Sequence, residues 1–456
     1  MDNNSVNYQV LKKYKNQIFA TIAVNIITFS QGHAIAWCAP SLPLLQSENL
    51  PLASGPITIE EVSWIGSMVC IGRILGSFLF GVIANQVGRK KALYILTIPH
   101  VGFWLLVMFG ATAMHLYVAR FLSGISGGGA FIVIPTFVAD ISDNKIRGTL
   151  GSVVTIGFNG GLLSGFILTS FFSYSFYPRV IITLTAIYIL AIYPLPETPQ
   201  FLAKIKRNED AENALRFYRK SEAATNEERQ KFNEELANRK DMEHGDAENG
   251  KAELSYRDFL KPAAIRGLLI GLGVLFLNQA CGLFALVNYA TNIFKMSGSS
   301  MDPNTCTIIV GATLLIGTLI EINYVDRMGR RILLITSCLG VALGCFVLDL
   351  SSLSWIAVTS VSFSILLGSF GLSPLPFVIV TEIMPKKIKA TAVTFCMCFN
   401  GTIAFIVLKI YPILMIDVGL YGVMGICGGI CILGAAGIYL FMPETKGKDL
   451  NVDEDV

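Results

Sequence analysis

Charge is scarce in this chain: Asp, Glu, Lys and Arg make up 15% of its 456 residues, where a soluble domain carries about 25%. The net charge of +3 is too small to argue for a nucleic-acid partner. Metal-ligand spacing is missing as well. Cys396 and Cys398, one residue apart, fit no metal pattern, and no paired carboxylates or nucleophile–histidine set points to an enzyme. No cofactor and no metal are therefore implied. No cleavage site of small residues follows MDNNSVNYQVLKKYKNQ, so residues 1–17 read as a cytoplasmic tail rather than a signal peptide.

Apolar residues are abundant, at 53%, and they fall in long runs such as Val62–Ala84, Ile308–Ile320 and Val418–Met442. An uncharged stretch of about 18 residues or more reads as a membrane span. Runs at 18–40, 61–84, 93–113, 116–141, 149–172, 178–195, 263–294, 305–325, 332–351, 355–384, 390–416 and 418–442 predict twelve transmembrane helices. Helices are the spanning option for such segments because lipid offers no partner for backbone polar groups. Most of the ten cysteines lie inside these runs and read as buried free thiols.

Lysine and arginine orient the spans. One set of short loops holds Arg89, Lys90 and Lys91; Lys145 and Arg147; Arg327, Arg330 and Arg331; and Lys386, Lys387 and Lys389. The stretch Ser41–Glu61 holds Glu48, Glu60 and Glu61 and no basic residue. Both termini and the polar middle segment are thus expected in the cytoplasm. The expected organisation is a tail at 1–17, a six-helix bundle at 18–199, a helical linker at 200–262, a second bundle at 263–442 and a tail at 443–456.

The two bundles echo each other. Gly88-Arg89-Lys90 recurs as Gly329-Arg330-Arg331, Asp140 with Arg147 as Glu382 with Lys389, and Pro196-Glu197-Thr198 as Pro443-Glu444-Thr445, each about 240 residues later. Repeated halves mark carriers that rock around a midplane site. Asp140, Asp326 and Glu382 gather with Arg89, Arg120, Arg147, Arg330 and Lys389 where helices leave the membrane on the cytoplasmic side. Positive-inside anchoring explains the cations alone. The acids beside them predict a cytoplasmic gate of salt bridges that forms and breaks as the halves move.

In GVIANQVGRKK (81–91), RFLSGISGGGAFIVIPTFVADI followed by RG (120–148), PETPQFL (196–202), NQACGLFALVNYATNIF (278–294), DRMGRR (326–331), SPLPFVIVTEIMP (373–385) and PETKG (443–447), the chain resembles the sugar porters of the major facilitator superfamily. GHAIAWCAPSLPLL (32–45) is most similar to the insect branch related to facilitated trehalose transporters. The resemblance implies an all-α membrane protein of two pseudo-symmetric six-helix bundles. It also implies alternating access, carriage of a hexose or disaccharide, and a plasma-membrane location.

Family sites bind sugar hydroxyls with amides, each of which both donates and accepts, and lay aromatic rings on the sugar's C–H face. Carried onto this sequence, the substrate positions are Asn278, Gln279, Phe284, Asn288, Phe377, Asn400 and Thr155. Phe284, Thr155, Leu314, Phe377 and Gly401 replace polar or tryptophan positions of the family, so the pocket is expected to be more apolar than a hexose site. Asn and Gln also bridge membrane helices, and that alternative stands beside each amide. Asn85 and Gln86 depart from the family's charged pair before Gly88.

Ionisable groups inside spans are functional candidates. His33 lies where proton-coupled relatives have an aspartate, so uniport is expected; its alternatives are a structural histidine and a substrate ligand. Arg73 in the second span calls for a carboxylate partner. The remaining alternatives for the chain are a proton-linked symporter, a carrier of a non-sugar solute and a non-transporting sensor.

Overall fold

In the computed structural model, residues 3–48, 52–219, 256–298, 300–349, 354–385 and 387–444 are described, and they form helices and connections with no strand among them. Residues 220–255, with His244, fall outside that description, as do Lys386, the tail from 445 and the side chains of Asp326 and Arg327. The first half comprises α1 (Asn3–Ala36), α2 (Cys38–Leu45), α3 (Ile59–Val87), α4 (Arg89–Ile95), α5 (Thr97–Phe109), α6 (Ala113–Ile141), α7 (Arg147–Phe171) and α8 (Tyr177–Ile192). Three short helices, α9 (Pro199–Lys204), α10 (Asn208–Arg219) and α11 (Tyr256–Phe259), belong to the middle segment. The second half comprises α12 (Pro262–Ala280), α13 (Leu283–Asn288), α14 (Ala290–Met296), α15 (Pro303–Met328), α16 (Arg330–Asp349), α17 (Ser354–Phe370), α18 (Leu375–Ile383), α19 (Lys389–Asp417) and α20 (Gly419–Phe441).

Among the described residues, eleven helical stretches are long and apolar enough to cross a membrane, and the shorter apolar α8 makes a twelfth. Several of the twelve predicted spans are broken. The first bends at Trp37, the seventh is split at Gly282 and again at Tyr289, and the tenth is split between Phe370 and Leu375. Gly282 adopts φ 79°, a left-handed backbone that glycine reaches without a Cβ penalty.

Local signals set the ends. Thr58 and Glu61 form a reciprocal capping box at the start of α3: Thr58 N–H donates to Glu61 at 2.7 Å, and Glu61 N–H donates to the Thr58 hydroxyl at 3.2 Å. Gly88 (φ 104°) and Gly329 (φ 85°) make the same sharp turn in the two halves. Beyond each turn, a carboxylate takes up the free N–H groups of the next helix. Glu197 accepts from Arg89 and Lys90 at 3.0 Å, and Glu444 accepts from Arg330 at 2.8 Å and Arg331 at 3.2 Å. An anion at a helix N-terminus also meets the positive end of the dipole. The repeated Pro-Glu-Thr is therefore a pair of helix caps.

The amino-terminal segment differs from a free tail. Its backbone is helical from Asn3 onward. Tyr14 and Gln17 are buried, the Gln17 amide oxygen accepts from Asp143 N–H at 2.9 Å, and Asn16 donates to the Phe217 carbonyl at 2.5 Å. Helix α10 is pinned in turn by Tyr218, whose hydroxyl donates to the Pro196 carbonyl at 2.6 Å. Burial raises that hydroxyl's pKa well above its ordinary value, so it remains a donor.

Candidate functional site

Two helix breaks meet in the second half. Gln279 ends α12 just before the break at Gly282. Beside it, Asn278 Nδ2 donates to the Leu372 carbonyl at 2.7 Å, in the break between α17 and α18. Gln279 Nε2 donates to Asn278 Oδ1 at 2.6 Å and to Asn400 Oδ1 of α19 at 2.7 Å. Gln279 Oε1 and Asn400 Nδ2 are left buried without a partner. A buried polar atom without a partner is costly. One free acceptor beside one free donor is what a hydroxyl pairs with.

The other predicted positions divide. Phe284 and Phe377 are partly buried against the core of the second half, and Thr155 is exposed on α7. Asn288 is fully occupied: its Nδ2 donates to the Phe284 carbonyl at 2.9 Å and its Oδ1 accepts from Arg120 at 3.3 Å. His33 is occupied too, with Nδ1 on the Tyr177 hydroxyl at 2.8 Å and Nε2 on the Ser164 hydroxyl at 3.1 Å. It serves as a structural bridge between α1, α7 and α8.

Arg120 requires a correction. It was expected at the cytoplasmic gate, but it lies near the opposite end of α6 from Asp140, about 30 Å away along the helix. There, fully buried, it donates to the carbonyls of Ile65 and Ala34 at 3.0 Å each and to Asn288 of the other half. Its charge sign resembled the gate cations; its place near the start of α6 was the contrary signal.

At the other end, Arg89 pairs with Asp140 at 3.3 Å and Arg330 with Glu382 at 3.6 Å. Each pair joins two helices of one half, α4 to α6 and α16 to α18. Arg147 opens α7 and Lys389 opens α19; neither has an ion-pair partner among the described residues.

Lys409 in α19 escaped the reading of the sequence, although a lysine inside a span was the signal. It donates to the Ser63 hydroxyl of α3 at 2.7 Å, with its ammonium 4.0 Å from the Trp64 ring centre. Tyr289 adds a second contact between the halves near the same ends. It donates to the Leu408 carbonyl at 2.9 Å, and its hydroxyl sits against Gly66 of the first half. Lys409→Met removes a cation–π contact worth about 0.5–2 kcal/mol. The population open at these ends should rise about 2- to 30-fold, read from spin-label distances between the Ser63 end of α3 and the Lys409 end of α19. An unchanged distribution would remove Lys409 from the closure.

A family model described as sugar (and other) transporter matches residues 15–455. The facilitated trehalose transporter Tret1 of Polypedilum vanderplanki is 30% identical over 95% of this chain and 86% of its own length. Tret1 of Culex quinquefasciatus is 28% identical over 95% and 84%. Tret1 of Drosophila yakuba is 31% identical, and the chain spans about half, 51%, of its length. Among solved structures, the xylose transporter XylE from E. coli in its inward-open conformation superposes with a TM-score of 0.78 at 21% identity, over 95% of this chain and 99% of that one. The proton:xylose symporter XylE bound to 6-bromo-6-deoxy-D-glucose superposes at 0.72 and 21%, over 96% and 98%.

Proposed function

Because the chain belongs to the sugar (and other) transporter family, we propose that it moves a sugar, a hexose or a trehalose-like disaccharide, across a membrane by facilitated diffusion. The observation that carries this reading is the unpaired acceptor and donor on Gln279 and Asn400, held where two helix breaks meet. Discontinuous helices at the midplane are where carriers of this architecture bind cargo. Thr155, Phe284 and Phe377 border the cargo, while Asn278 holds Gln279 in place.

The halves rock. In the conformation described, Arg120–Asn288, Lys409–Ser63 and the Tyr289 hydroxyl packed on Gly66 tie the outer ends, and Asn159 donates to Thr318 at 2.7 Å nearer the middle of α7 and α15. When these contacts open, the cytoplasmic ends carrying Arg89, Asp140, Arg147, Asp326, Arg330, Glu382 and Lys389 draw together, and the pairs already made within each half, Arg89–Asp140 and Arg330–Glu382, exchange partners across the halves. A partly buried ion pair adds little net stability, so its use is as a switch. Asp140→Asn or Glu382→Gln should cut flux about tenfold at unchanged surface expression; normal flux would remove the pair from the gate.

His33, held on both ring nitrogens, supports uniport rather than proton coupling. Both termini and the middle segment face the cytoplasm, the membrane is the plasma membrane, and the chain catalyses no chemical conversion. Purified protein in liposomes is expected to show counterflow of labelled glucose or trehalose. Absence of sugar flux would overturn the reading, and accumulation driven by a pH gradient would overturn uniport.

A further inference from the structure

Arg73 stands midway along the 29 residues of α3. Its side of the helix is defined by its neighbours. Gly72 and Gly76 pack on the backbone of α6. Leu75, Phe78, Leu79 and Val82, each about half exposed, form the lipid stripe. At about 100° per residue, Arg73 lies nearly opposite that stripe. Gly66, about two turns earlier on the same face, sits under the Tyr289 hydroxyl of the other half. Arg73 therefore looks into the space between the halves.

Among the described residues, no carboxylate meets this mid-span arginine. Among the described residues the Arg73 guanidinium has no ion pair and no hydrogen bond, and the residue is only partly buried. A charge held at this depth is costly and marks a pathway. Two other cations between the halves are already committed, Arg120 to Ile65, Ala34 and Asn288, and Lys409 to Ser63 and Trp64. Asp140 and Glu382 are held by arginines at the far ends of their helices. The amide pocket is close by: Ile74, next to Arg73, touches Gly401, next to Asn400.

We propose that the cargo is a sugar bearing one carboxylate. Arg73 takes the carboxylate in the two-pronged geometry that guanidinium favours, while Gln279 Oε1 and Asn400 Nδ2 take hydroxyls. One unpaired cation neutralises one charge. The second charge of a phosphate monoester would stay uncompensated between low-dielectric walls. The proposal rests on the space between the halves being the transport path.

Its test is competition binding on the purified full chain in detergent, using glucuronate, glucose and glucose 6-phosphate, with liposome uptake measured alongside. Glucuronate should bind at least tenfold tighter than glucose and than glucose 6-phosphate. Arg73→Gln should bring the glucuronate-to-glucose ratio to about one, Arg73→Lys should retain part of it, and Lys409→Met should leave it standing. A wild type that prefers glucose or the phosphate overturns the proposal, as does a ratio that survives Arg73→Gln. Should Arg73→Gln fail to fold, the wild-type ranking and Arg73→Lys decide. Tight glucuronate binding without flux of any sugar would defeat the carrier reading and leave the anion site in place.

Discussion

Valine at Gly124 should leave almost no folded protein in the membrane. Helices α3 and α6 cross through two glycine pairs, Gly72 with Gly76 and Gly124 with Gly128. A Cβ on Gly124 would overlap the Val69 carbonyl oxygen and the Arg73 backbone nitrogen. On Gly72 it would overlap the Phe121 carbonyl, and on Gly128 the Arg73 carbonyl. These are backbone atoms that cannot rotate aside. Small residues at this spacing let membrane helices approach until packing and weak Cα–H···O contacts hold them. Forcing them apart is expected to cost more than about 4 kcal/mol, a large part of the roughly 5–15 kcal/mol that holds a typical fold. Fluorescence-detected size exclusion of a tagged protein measures it. Gly425→Val is the control, since nothing lies within 4 Å of a Cβ there. Equal monodisperse yield from both variants would show that the crossing tolerates separation.

Gln279→Ala should reduce sugar binding and flux by roughly 10- to 100-fold with normal yield, the scale of one or two lost buried hydrogen bonds. The change removes the free acceptor and also releases the Asn400 amide that Gln279 positions. Asn400→Leu should cost a similar factor, and the double variant less than the product, because the two side chains form one unit. Asn288→Ala should behave differently: it frees Arg120 from the other half and weakens the outer closure, while the amide pocket stays intact. Isothermal titration on each variant separates the cases. Wild-type affinity in Gln279→Ala would move the site elsewhere.

The halves, the spans and the paired motifs were legible because they depend on local chemistry. An apolar run of span length has nowhere to go but lipid, and an Arg after a positive-φ glycine makes the same turn in both halves. The Pro-Glu-Thr repeat was visible, but its function as a pair of helix caps was not, since Glu197 reaches N–H groups more than 100 residues away in the chain. Arg120 and Asn288 show the same limit. Each carries the chemistry of its predicted role, gate cation and sugar amide, yet the two are bound to each other. Lys409 was hidden by the apolar residues around it, and its partners sit on a helix of the other half.

Apolar runs of span length pointed to membrane helices, and motifs recurring about 240 residues apart pointed to two repeated bundles, because burial of apolar length and satisfaction of backbone hydrogen bonds are properties of each segment taken separately. Which amides remain unsatisfied, and which cations are spent, depend on contacts between segments far apart in the chain. Gln279 and Asn400 became a candidate site only when two helix breaks and α19 converged on them. Arg73 became a candidate for anion recognition only when folding turned its face toward the other half and, among the described residues, brought no carboxylate to meet it.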